Sequence, residues 1–149
     1  MSHRTVKFAI NRTVAPRLPL DGFLALAKTA GAAAVEVRND VGGAGPLQIC
    51  YDTFQFCRAR DTNLCPQLIG LVHVSGISRT DPPPENLTET DRGFVDTGNV
   101  TDTAGQRNEI IARGYRGYVS IEPFAPAIHA ADDVSGPLAR SLAFLRPFT

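Results

Sequence analysis

A net charge is the first thing missing: fifteen basic residues balance fifteen acidic ones over 149 positions. With no basic cluster either, the chain offers no electrostatic footprint for nucleic acid. No apolar run approaches the ~20 residues that a membrane-spanning helix needs. Met1-Ser2-His3-Arg4-Thr5 leads straight into a strand-like segment and has no apolar region of the signal-peptide kind. These absences predict a cytoplasmic protein with neither membrane nor nucleic-acid partners. Cysteine is scarce: Cys50, Cys57 and Cys65 are odd in number and form no Cys-x-x-Cys pair. Free thiols in a reducing compartment follow, used for packing or lying at the surface. A zinc site from Cys57, Cys65 and His73 would not have structural-zinc spacing. Gly42-Gly43-Ala44-Gly45 is followed by no Lys-Ser/Thr and opens no helix, which excludes a phosphate loop.

What is present is an ordinary globular composition, 43% hydrophobic and 20% charged, in one domain over residues 1–149. Val6-Lys7-Phe8-Ala9-Ile10 reads as a strand. Asp21 is a candidate N-cap for a helix over 22–30, where Phe23, Leu24, Leu26, Ala27 and Ala30 form an apolar face before Gly31. A second strand covers 33–38, so the opening is a βαβ unit with parallel strands and a right-handed crossover. Beyond the glycine-rich link 39–46, strands are expected at 47–52, 70–75 and 118–122. A short helical or irregular piece fills 53–67, Asp102 caps a helix running through Arg113, and a last helix lies within 134–146. The polar loop 78–101, with Pro82-Pro83-Pro84, is long enough to predict a lid or mobile segment. The apolar, β-branched strands suit a buried parallel sheet. The fold class is therefore α/β.

Active residues of parallel βα sheets gather where strands end. Asn11, Arg38, Asp52, His73 and Glu122 fall at or near such ends. Asp52, His73 and Glu122 together offer oxygen and nitrogen donors that suit Mn²⁺, Zn²⁺ or Co²⁺ better than Mg²⁺. Each also has a plainer reading: Asp52 as a capping or loop acid, His73 as a core histidine with protein partners, Glu122 as a strand end set by Pro123. Glu36 and Arg38 can pair with each other or with solvent. His129 lies in what reads as a loop entering the last helix.

Tyr51-Asp52-Thr53-Phe54-Gln55-Phe56, Gly70-Leu71-Val72-His73-Val74-Ser75-Gly76 and Ser120-Ile121-Glu122-Pro123-Phe124 resemble later strands of the xylose-isomerase-like TIM barrels. The opening Phe8-Ala9-Ile10-Asn11 and Val35-Glu36-Val37-Arg38-Asn39-Asp40 resemble the first two. Together they resemble the group of sugar phosphate isomerases and epimerases that includes 2-keto-myo-inositol isomerase. The resemblance implies a divalent metal held by Asp52, His73 and Glu122, with Glu122 also a proton-transferring carboxylate. Arg38, Arg92, Gln55 and Asn11 are the implied contacts to a small sugar or polyol-derived substrate. Gln55 stands where family members usually place a histidine, and no segment matches their remaining glutamate ligand.

A complete TIM barrel takes ~250 residues, so the resemblance implies a partial (β/α)8 barrel of about five parallel strands, interrupted at Val41–Pro46. In family positions the strands would lie side by side in the order 6-7-8-1-2. Open edges expose unpaired backbone and predict self-association or poor stability alone. Two functions follow from the resemblance: a metal-dependent isomerase or epimerase of a sugar, sugar phosphate or inosose, impaired by the truncation, or a non-catalytic remnant serving as an assembly module.

Overall fold

The computed structural model describes residues 6–36, 48–78 and 83–146. Arg38 and the link Val41–Pro46 lie outside them. Five strands form one sheet: β1 (Lys7–Asn11), β2 (Ala34–Glu36), β3 (Ile49–Asp52), β4 (Ile69–Val74) and β5 (Tyr118–Ile121). All pairings are parallel, and the order is β2-β1-β5-β4-β3. That is the neighbour order expected from a contiguous stretch of barrel, with the last strand beside the first.

Helices α1 (Leu20–Thr29), α2 (Thr53–Arg58), α3 (Thr103–Ala112), α4 (Pro126–Ala130) and α5 (Ser135–Leu145) flank the sheet. Alternation along the strands sets which side chains meet them. Phe8 and Ile10, Val72 and Val74, and Val119 and Ile121 join Phe23, Ile110, Leu138, Leu142 and Leu145 in one buried core. The intervening residues Asn11, Glu36, His73, Ser120 and Glu122 occupy the other face and interact with one another. One face thus consolidates the domain and the other is left for chemistry.

Several boundaries differ from expectation. Helix α1 starts at Leu20, after Pro19 at φ −56° and ψ 159°, so Asp21 lies inside the first turn rather than at the cap. An acid there still complements the helix dipole. Asp102 does cap α3, adopting a left-handed conformation while its carboxylate accepts from Gly105 N. His129 belongs to α4 rather than to a loop.

The segment after β4, expected as a lid or mobile segment, is packed against the domain where it is described. Leu87 and Val95 are buried, and Leu87 clusters with Phe54 and Ile77. Gly76 and Gly93 exchange backbone hydrogen bonds of 2.9 and 2.7 Å, pinning Arg92 beside the end of β4. The approach requires glycine: a Cβ on Gly76 would lie 2.6 Å from the Phe94 carbonyl carbon and 2.7 Å from Val95 Cα. Gly76→Ala is expected to cost about 1–3 kcal/mol, as overpacking does, in chemical denaturation. An unchanged midpoint would show that this strap is free to move.

Candidate active site

The C-terminal strand ends deliver Asn11 from β1, Glu36 from β2, Asp52 from β3, His73 from β4 and Glu122 just beyond β5. Parallel register levels them: Asn11 is opposite Glu36, and Asp52 is opposite His73.

His73 is the hub. Its Nε2 lies 3.1 and 3.0 Å from the two oxygens of Glu36, and its Nδ1 lies 3.0 Å from Glu122 Oε2. Cys50 Sγ is 3.4 Å from the same Nδ1. With carboxylates at both ring nitrogens, the imidazole holds both protons. Burial alone would lower its pKa, but the contacts with Cys50, Glu122 and Glu36 outweigh burial and push it up to about 12. Glu36 shows the converse. Burial raises it, yet hydrogen bonds from His73 and Ser120 and the imidazolium charge leave it below the usual carboxylate range. The Ser120 hydroxyl donates to Glu36 Oε2 at 2.8 Å.

Arg92 is the second cation, with its side chain only 3% exposed. Its Nη2 donates to Asp52 Oδ2 at 2.7 Å and to Glu122 Oε2 at 3.0 Å. Its Nη1 donates to Glu89 at 2.6 Å and its Nε to the Ser75 hydroxyl at 3.0 Å. The guanidinium stands 4.6 Å from the ring of Phe124 and 5.3 Å from that of Phe54. Burial opposes its charge, but Asp52, Glu89 and Glu122 outweigh burial and hold it firmly protonated. Asn11 Nδ2 completes the environment of Glu122 by donating to Oε1 at 3.1 Å.

The expected residues therefore divide. His73, Glu122 and Asn11 come together, and Arg92 binds the same Glu122. Asp52 is one guanidinium away: its Oδ1 accepts from Phe54 N and Gln55 N at the start of α2, and its Oδ2 is taken by Arg92. Gln55 points to Glu89 at 2.5 Å. Glu36 takes a place in the site that sequence reasoning missed. The available signal was alternation: Val35 and Glu36 must face opposite sides of a strand paired with β1.

One donor atom each from Glu36, His73 and Glu122 lies within 4.8 Å of the other two. That spacing and the mixed oxygen and nitrogen chemistry fit a divalent cation. Binding would require His73 to release a proton from the coordinating nitrogen. Beside the cluster, Asn11, Thr13, Glu36, Glu122, Phe124 and His129 line a cavity of about 350 Å³. Both glutamates reach it, so two carboxylates separated by one imidazole face the same small-molecule space. Among the described residues, no helix is long and apolar enough to cross a membrane.

No family model matches the sequence, and no curated protein matches it. Among solved structures, a xylose isomerase domain containing protein from Salmonella typhimurium LT2 is similar, with 21% identity and a TM-score of 0.60. The match covers 95% of this chain and 48% of that one, so the chain spans about half the length of that protein. The likeness shows the fold: five parallel strands with flanking helices, forming part of a xylose-isomerase-like barrel.

Proposed function

We propose that this site is a metal-assisted isomerase or epimerase centre for a sugar, sugar phosphate or inosose, acting in the cytoplasm. The observation that carries the reading is the pair Glu36 and Glu122, both on one cavity and both ordered by His73. Moving a proton between adjacent carbons calls for a carboxylate within reach of each position.

His73 and Glu122 would hold a divalent ion, Zn²⁺, Mn²⁺ or Co²⁺. Its chemistry when bound is Lewis-acid polarisation of a substrate carbonyl or hydroxyl. Glu36 orients the imidazole through Nε2–H and presents its carboxylate to the cavity, where it can accept and return a proton. Arg92 and Asn11 fix the orientation of Glu122, so its position is set before substrate enters. Phe124 gives the cavity an apolar wall that limits water.

The test is solvent deuterium exchange at the carbon next to the carbonyl, followed by NMR over a panel of aldoses, ketoses and inososes. Metal-dependent exchange is expected, with Glu36→Gln lowering it about 10²–10⁴-fold, the range of general acid–base catalysis. Calorimetry should show stoichiometric binding of Zn²⁺ or Mn²⁺ that His73→Ala abolishes. Absence of exchange, with a melting temperature unmoved by metal, would sink the reading.

A second reading, an assembly module that completes its sheet against another copy, draws on the coverage of half of the similar structure. Among the described residues β2 and β3 end the sheet, and parallel edges invite pairing. A defined dimer in light scattering, without bound metal or exchange activity, would favour it.

A further inference from the structure

The cavity that Glu36 and Glu122 reach is also lined by Arg12, Thr13 and His129, three residues the reading above leaves without a role. His129 Nε2 lies 3.1 Å from the Pro123 carbonyl oxygen. A carbonyl can only accept, so Nε2 carries the hydrogen, and in the neutral ring Nδ1 holds a lone pair. The ring also meets the edge of Phe124, with centroids 6.2 Å apart, so its place is fixed from two sides. Thr13 gives its backbone N–H to Asn11, but its hydroxyl oxygen is buried with no hydrogen-bond partner. A buried hydroxyl left unpaired is costly and marks a place where a partner belongs. Arg12 brings a cation to the cavity wall but is committed elsewhere: it donates to the carbonyls of Ala15, Pro16 and Leu18 and lies 5.0 Å from the Phe23 ring. A second cavity of about 230 Å³ shares Pro16 and His129 with the first and is lined by Asp132 and Asp133. Its Arg17 donates to the Ala130 carbonyl at 3.0 Å.

We infer that His129 and Thr13 bind a substrate hydroxyl remote from the reacting carbons, so that the cavity takes an uncharged sugar or cyclic polyol in preference to its phosphate ester. The inference rests on the isomerase reading for the chemistry at Glu36 and Glu122 and adds which substrates reach them. A hydroxyl both donates and accepts. It can give its hydrogen to His129 Nδ1 and accept the Thr13 hydroxyl hydrogen, which satisfies both residues. A phosphate in that place carries about −1.5 to −2 charge and offers acceptor oxygens. The lone pair on Nδ1 gives such oxygens nothing, and Glu36, Glu122, Asp132 and Asp133 are of the same sign. Arg12 and Arg17 are turned to backbone carbonyls, and Arg92 to Asp52, Glu89 and Glu122. An anion entering here would exchange water for a wall with no uncommitted cation among the described residues, and that desolvation is costly.

Ligand-observed NMR titration of the wild-type chain tests this with D-fructose, D-glucose and myo-inositol, each beside its monophosphate. A chelator is present throughout, so that no phosphate is held by a metal. At least one parent compound should bind, roughly tenfold or more tightly than its phosphate, a comparison that depends on no variant folding. Thr13→Val keeps the shape and removes the hydroxyl. It should weaken binding of that parent about three- to tenfold, the worth of one neutral hydrogen bond, with a melting temperature no lower than wild type. His129→Phe keeps a ring against Phe124 without the lone pair and should weaken binding by a similar factor. Where turnover is seen, both should raise KM more than they lower kcat, a split that a merely structural role would not produce. A phosphate bound as tightly as its parent, no binding by any parent, or binding unmoved by both substitutions overturns the inference. Metal-dependent deuterium exchange on such a phosphate would leave the isomerase reading standing. Selective binding of the parents with no exchange on any compound would sink that reading and keep the inference.

Discussion

Arg92→Ala is expected to destabilise the protein by about 3–5 kcal/mol, the cost of removing one partner from a buried ion pair. The guanidinium is the counter-charge for Asp52 and Glu122, whose side chains are each 13% exposed. Without it both carboxylates would keep their burial and lose their strongest donor. The Glu89 arm contributes little by comparison, because Glu89 is 45% exposed and water can replace the contact. Packing adds to the loss, since the guanidinium lies against Phe54 and Phe124. Arg92→Lys should recover only part of the stability: a single ammonium cannot reach Ser75, Glu89, Asp52 and Glu122 in the geometry of a fork. Urea denaturation reads the effect as a lower midpoint at unchanged slope. Combining Arg92→Ala with Asp52→Asn should cost less than the sum of the two, because the asparagine no longer needs the cation. A loss below about 1 kcal/mol for Arg92→Ala would place this network in the solvent-screened class of ion pairs.

Arg92 also marks where sequence reasoning reached its limit. The strands were legible because apolar runs alternate with helical segments, and their order followed from the resemblance to a contiguous stretch of a barrel, in which the last strand lies beside the first. His73 and Glu122 were legible as polar residues closing such runs. Asp52 could be read both as a ligand and as a cap, and the structure puts its carboxylate on the N–H groups that open α2. Glu36 was harder. It ends a strand of only three residues, and its partners Ser120 and His73 lie 84 and 37 positions away. Its pairing depends on which strand lies beside which, and local pattern carries no such information. The loop that holds Arg92 reads as polar and mobile for the same reason. What packs it against the sheet is the closure of Gly76 on Gly93 and the two aromatic rings around the guanidinium, all of them contacts of tertiary structure.

Held with a chelator, the protein should lose stability as pH rises from neutrality. The folded state keeps the His73 proton up to about pH 12 through its contacts with Cys50, Glu122 and Glu36, whereas in the unfolded chain it leaves near the ordinary value of about 6.5. A group whose pKa is raised by folding contributes stability that is fully present below its unfolded pKa and is lost as pH rises toward the folded one. Between those limits the folded state binds one more proton than the unfolded, a slope of about −1.4 kcal/mol per pH unit. From pH 7 to 9, before tyrosines and lysines titrate, the loss should come to about 3 kcal/mol in urea midpoints corrected by the slope. His73→Gln keeps a polar side chain without the titration and should flatten the curve. A wild-type curve already flat over this window would mean that the two glutamates do not hold the proton. Saturating Zn²⁺ supplies the opposite sign: an ion that displaces the proton binds more tightly as pH rises, so the stabilisation it confers grows where the metal-free protein weakens. The same imidazole is a clamp when protonated and a ligand when not, and the divergence of the two curves with pH measures the exchange of one role for the other.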